Sequence, residues 1–196
     1  KLTVMNNDRE NSNYFDLNFV ESERLPKSFV VDFTDITCDG IEKVRITIDG
    51  IQIGDVIDDN SYENDFYRYH DVFHYTFATM LDWSPCTRAM LGRKRKSIPI
   101  IDVCEDGARA TITEEAISLM LFSEAKRTDL FENKEVSKTL LKIIKQMTEP
   151  FEVRSKTESQ WENAILKGYE LFKCLVSNRG GKIKFYKENR TAIYLG

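Results

Sequence analysis

The hydrophobic period of the chain changes twice, and that order limits the folds open to it. Residues 28–33 (SFVVDF) and 43–49 (KVRITID) are β-branched runs joined through Cys38-Asp39-Gly40, and they read as a hairpin. Residues 51–53 follow the Asp49-Gly50 turn as a short third strand. From Phe66 to Leu81 the spacing becomes helical. At about 100° per residue, Phe66, Tyr69, Phe73, Phe77 and Met80 share one face. Trp83-Ser84-Pro85 ends this helix and starts a short one through Leu91. Longer helices follow near residues 108–125, 136–147 and 158–177. Val136, Leu140, Ile143, Ile144 and Met147 form one stripe, and Trp161, Ile165, Phe172 and Leu175 another. The 108–125 helix is apolar nearly all round, which predicts a central, buried position. Asn178-Arg179-Gly180-Gly181 stops the last helix, and residues 182–186 and 192–195 close the chain as a second hairpin. This order predicts an α+β fold: a bundle of about four helices, with N-terminal and C-terminal β-hairpins forming a small sheet. Residues 1–25, rich in Asn, Asp and Glu with no stable period, read as an N-terminal arm or linker, and 26–196 as one domain.

Charge is unevenly placed along the 196 residues. The formal charge is −4, yet residues 1–82 hold 7 Lys and Arg against 17 Asp and Glu, and residues 83–196 hold 21 against 15. The overall balance excludes a broadly cationic nucleic-acid binder, and the asymmetry predicts a site where carboxylates face cations. The longest apolar run, 116–122, is interrupted by Ser118 and falls far short of the roughly 18 residues of a membrane span. The N-terminal residues are polar from the start, so neither a signal peptide nor a membrane partner is expected. Four scattered cysteines without a C-x-x-C pair argue against structural zinc and for reduced thiols in a cytoplasmic protein.

Three segments carry candidate chemistry. Both histidines, His70 and His74, fall one turn apart on the first helix, about 40° apart on the wheel, with Asp71 about 60° beyond His74. Half-buried polar groups need partners: a metal would supply one, and a backbone or carboxylate hydrogen bond would supply another. In the second segment, Glu115 falls inside the apolar arc between Ile112 and Leu119, whereas Glu114 points towards Thr111 and Ser118, a more solvated direction. A glutamate in an apolar arc requires a cation, either a metal or an arginine such as Arg109 or Arg88. Glu105 and Asp106 precede this helix, where carboxylates suit the positive end of its dipole. The third segment, Arg93-Lys94-Arg95-Lys96 with Arg88 nearby, reads as a phosphate grip or as a solvated basic loop. No Walker A, G-x-G-x-x-G, G-x-S-x-G or Cys/His nucleophile pair is present, which argues against P-loop, Rossmann and serine-hydrolase chemistry.

Several blocks, in order, resemble the C-terminal domain of MazG-like nucleotide pyrophosphohydrolases. They are Leu25-Pro26, 50–55 (GIQIGD), 59–63 (DNSYE), 70–74 (HDVFH), 83–85 (WSP), 93–97 (RKRKS), 105–110 (EDGARA), 114–118 (EEAIS), Trp161-Glu162 and Asn178-Arg179-Gly180-Gly181. The resemblance implies Mg²⁺-dependent cleavage of a nucleoside triphosphate to the monophosphate and pyrophosphate, with Mn²⁺ as a second candidate ion, and an oligomer or a subunit of a larger assembly. None of the four expected helices carries the E-x-x-E and E-x-x-D pairs of the MazG metal core. Two readings follow. Either such a core lies upstream and this domain is an accessory, nucleotide-sensing or interaction module, or the domain has its own variant site. In the second case Asp71, Glu114 and Glu115 would hold the metal with help from His74. His70 or Glu105 would orient water, and Arg93, Lys94, Arg95, Lys96 and Arg109 would meet phosphate. His70-Asp71 also resembles the doublet of HD-type metal phosphohydrolases, although such sites need histidines beyond His74.

Overall fold

The structure, a computed structural model, describes residues 14–196. Strand β1 (Ser28–Cys38) pairs antiparallel with β2 (Ile41–Ile48) through the turn at Asp39-Gly40. Both turn residues have positive φ, the geometry that continues the right-handed twist of a two-residue hairpin. β3 (Ile51–Gln52) and β4 (Ile57–Asp58) pair with opposite ends of the free edge of β2. The other edge of β1 receives β5 (Gly180–Tyr186), which in turn pairs with β6 (Thr191–Tyr194). The two hairpins thus join at β1–β5 into one antiparallel sheet ordered β3-β2-β1-β5-β6, with β4 also on β2. Val31, Phe33, Val44, Ile46, Ile183 and Phe185 alternate onto its buried face.

Six α-helices lie among the described residues: α1 (Asp71–Leu81), α2 (Pro85–Met90), α3 (Pro99–Cys104), α4 (Ala108–Arg127), α5 (Lys138–Thr148) and α6 (Glu158–Asn178). The expected α+β arrangement is present, with the four main helices, the expected short α2 and, in addition, α3. Pro99, at the first position of α3, starts a helix just after the basic segment, where no helix was expected. Capping follows local chemistry elsewhere: Ser84 caps α2, Ser137 caps α5, and Thr157 with Gln160 forms a capping box on α6. Arg179, not a glycine, takes the left-handed turn that ends α6. Gly180 then begins β5 at φ +114°, where a Cβ would lie 2.3 Å from the Phe33 carbonyl oxygen.

The central helix is α1 rather than α4. All of α1 except Met80 is buried, against α6, α2 and the β5–β6 hairpin. α4 is one-sided: α2, α3 and α5 cover the Ala110, Glu114, Ile117 and Leu121 side, and Ile112 and Leu119 are 67% and 54% exposed. Its apolar composition therefore overstated its burial.

Of the expected arm, residues 1–13 lie outside the described residues. Residues 14–25 lie on the bundle. The Asp16 carboxylate is buried between Arg88 (3.0 Å) and Lys187 (2.9 Å) and accepts the Leu25 N–H at 2.8 Å. No helix among the described residues is long and apolar enough to cross a membrane.

Candidate metal centre

The junction of α1, α2 and α4 gathers two imidazoles and three carboxylates. The backbone from Tyr67 to Tyr69 makes one 3₁₀ turn, and this sets His70 just ahead of Asp71 at the start of α1. The His70 ring stacks on Tyr67, with centroids 4.2 Å apart, and its Nδ1 lies 2.9 Å from the Tyr67 carbonyl oxygen. Its Nε2 lies 3.2 Å from Asp71 Oδ1. One turn on, His74 Nδ1 lies 2.9 Å from Glu114 Oε1, and its Nε2 lies 3.4 Å from Glu115 Oε1 and 4.0 Å from Asp71 Oδ1. That buried Nε2 has no hydrogen-bond partner.

Glu114 is fully buried and well satisfied. Its Oε1 also accepts the Ser84 hydroxyl at 2.7 Å, and its Oε2 accepts the Cys86 N–H at 2.9 Å. Ser84 does two jobs, because the same Oγ accepts the Thr87 N–H as the cap of α2. Glu115 is 41% exposed at its side chain and closes the group on the solvent side.

The electrostatics follow from burial and from these neighbours. Burial holds His70 below the usual imidazole range, reinforced by the His74 charge and opposed by Asp71. Burial disfavours a charged His74 too, but the Glu114 carboxylate overrides it and holds that imidazole well above its ordinary value. Glu115 is held down to about 2; its partial burial works the other way and is outweighed by His74 and His70. The Cys86 Sγ lies 3.6 Å from Glu115 Oε1, and burial together with Glu114 pushes its thiol up. A protonated, buried thiol is a poor nucleophile despite its place beside His74.

Two overlapping groups have metal-ligand spacing, with ligand atoms all within 4.8 Å of one another: His70, Asp71 and His74, and His74, Cys86 and Glu114. The fit to a cation is chemical as well as spatial. Tyr67 O can only accept, so His70 carries its proton on Nδ1, and the Glu114 carboxylate likewise accepts a hydrogen bond from the Nδ1–H of His74. With Nδ1 so engaged, the Nε2 atoms of both rings face carboxylate oxygens, His70 that of Asp71 and His74 those of Asp71 and Glu115. An acceptor behind each metal-facing imidazole is the usual outer-shell arrangement of a histidine ligand.

The structure distributes the other expected site residues differently. Glu114 and Glu115 exchange the environments inferred from the wheel, because α4 docks on the Glu114 side. Glu105, at the end of α3, accepts the Glu152 N–H at 3.1 Å and takes no part in the histidine cluster. Arg95 is buried on Asp106 (2.7 Å) and Glu152 (2.7 Å), Arg88 lies on Asp16 and Asp106, and Lys94 pairs with Asp102 at 3.3 Å. Arg93 donates to the Glu21 carbonyl at 2.9 Å. Arg88, Lys94 and Arg95 are thus neutralised within the fold and Arg93 is tied to a backbone carbonyl, while Lys96 and Arg109 are exposed. Carboxylates of the segment 55–65 likewise serve structure: Asp59, together with Glu42 of β2, holds the buried Arg68 at 2.8 and 2.9 Å, and Asp65 pairs with Lys126. Ser84, Cys86 and Tyr67 were missed from the sequence as neighbours of the site. Only Ser84 left a signal, the Ser-Pro pair of a helix start.

The MazG C-terminal domain family model matches residues 10–195. No curated protein and no solved structure matches the chain significantly. The family match covers His70, Asp71, His74, Cys86, Glu114 and Glu115 and both ends of the sheet. The chain belongs to the MazG C-terminal domain family, a family related to nucleotide pyrophosphohydrolases.

Proposed function

We propose that the domain is a divalent-metal-dependent nucleoside triphosphate pyrophosphohydrolase, or the metal-bearing part of one. The observation that carries this reading is the buried His74 Nε2, without a hydrogen-bond partner and facing the oxygens of Asp71 and Glu115. An unmatched buried nitrogen costs about 1–3 kcal/mol, and a ligated ion removes that cost. Asp71, Glu115, His70 and His74 would hold the ion. Bound there, a divalent ion supplies charge neutralisation and Lewis-acid polarisation to a phosphoanhydride. Glu114 fixes the ring of His74, and the Tyr67 carbonyl with the Tyr67 ring fixes that of His70. Glu115, as the partly exposed member, leaves the group open to a phosphate from solvent.

The burial of Arg88 and Arg95 in internal ion pairs favours a second reading, a metal-containing accessory module without turnover. Incubation with a panel of nucleoside triphosphates and divalent ions, followed by product identification, separates the two. Monophosphate plus pyrophosphate, lost in Asp71→Ala by more than the ~10–100-fold typical of an outer-shell change, supports catalysis. Undiminished hydrolysis by Asp71→Ala would overturn the assignment. Thermal stabilisation by metal without turnover supports the accessory module.

A further inference from the structure

The geometry points to a first-row transition ion of mixed nitrogen and oxygen preference (Mn²⁺, Fe²⁺, Co²⁺ or Zn²⁺), rather than Mg²⁺, as the resident of this centre. The inference rests on the metal reading above and adds the class of ion. Mg²⁺ takes oxygen ligands almost exclusively and keeps several waters, so a Mg²⁺ site is usually built from one or two carboxylates facing open solvent. Here the best-prepared donors are nitrogens. Both rings have Nδ1 engaged at 2.9 Å by an acceptor-only group, which turns both Nε2 atoms to the carboxylate side of the group, where a cation would take them as ligands. His70, Asp71 and His74 are all buried, so an ion here would meet imidazole nitrogen on the protein side and solvent only past Glu115. Two imidazoles with two carboxylates match the donor preference of first-row transition ions.

Glu114 is a positioning residue in this scheme. Three groups from α1 and α2 fix its carboxylate, and it fixes the ring of His74 in turn. Nothing else among the described residues holds that ring at Nδ1.

The test uses the full chain, stripped of metal by chelation and titrated with Co²⁺, whose visible absorption reports nitrogen and oxygen coordination. Saturable binding of a single Co²⁺ with a visible band that survives a large excess of Mg²⁺ is the expected result. Glu114→Gln should weaken Co²⁺ binding by ~10–100-fold. His70→Gln should shift the band, because a nitrogen donor is lost. Displacement of Co²⁺ by Mg²⁺, or absence of the band in the unmodified chain, would overturn the inference whether or not the variants fold. A persistent band with no nucleotide turnover removes only the catalytic reading. Mg²⁺-dependent turnover without the band removes only the ion class.

Discussion

Glu114 and Glu115 are adjacent in sequence and opposite in environment, and the difference is one of solvent. Glu114 is fully buried and accepts from His74, Ser84 and the Cys86 backbone. Removing it strands those donors beside a buried imidazole, so Glu114→Ala should cost about 3–5 kcal/mol. Glu115 is partly exposed, and solvent screens its pairing with His74, so Glu115→Ala should cost about 1 kcal/mol or less while abolishing metal-induced stabilisation. Urea unfolding of the two variants, with and without metal, checks both statements. Equal losses of stability would show that the burial contrast is wrong. The sequence marked both residues, along with His70, Asp71 and His74, as the place to look. It could not rank the two glutamates. A helical wheel gives angular spacing but not the phase at which the helix docks, and Ile112 and Leu119, which seemed to define the buried side, face solvent.

At the scale of elements, the site depends on how α1 is clamped. α6 approaches α1 closely at Gly168, where an added Cβ would lie 2.8 Å from Phe73 Cδ1. The Phe73 ring cannot easily move away, because it packs on Tyr169 and Phe172 at centroid distances of 4.7 and 5.7 Å. Gly168→Ala should therefore destabilise by about 1–3 kcal/mol, although alanine is the better helix former. Chemical denaturation measures this, and a more stable variant would show that the helices have room to separate. The element order and most boundaries were legible in the period of the sequence. The stripe of α6, the Ser84-Pro85 start and the two aspartate-glycine turns are local signals that tertiary packing did not override, whereas in α5 Leu141 is buried in place of the expected Ile143. α3 was not legible, since six residues are too few to show a helical period, and its Ile100 and Val103 are exposed.

For the molecule as a whole, buried charge ties the segment ahead of β1 and the β5–β6 turn to the helices. Asp16 engages Arg88 and Lys187, Lys187 also reaches Asp82 at the end of α1, and Arg88 and Arg95 share Asp106. Lys156 lies buried beside this network, with its Nζ 5.0 Å from the centre of the Phe15 ring. Burial, helped by the like charge of Arg190, pushes its ammonium down to about 8 from an ordinary 10.5. Below pH 8 the folded protein must keep a charged lysine where it is poorly solvated. Between about 8 and 10.5 the unfolded chain binds the proton and the folded one does not, so this residue's contribution to stability rises with pH. Lys156→Met should be about 1–3 kcal/mol more stable at pH 7, and its advantage should shrink across that window. Urea titrations at pH 7 and pH 10 test the sign, and an advantage that grows with pH would refute it. The uneven charge of the chain thus resolves mainly into internal pairs rather than into a face for phosphate. The sequence by itself determined the α+β class, the turns, the caps and the segment that holds the candidate centre, because these depend on residues a few positions apart. Only the tertiary structure decided which carboxylate backs His74, which cations are neutralised and how the two hairpins merge at β1–β5. Those outcomes depend on groups tens of residues apart, whose environment exists only once the chain has packed.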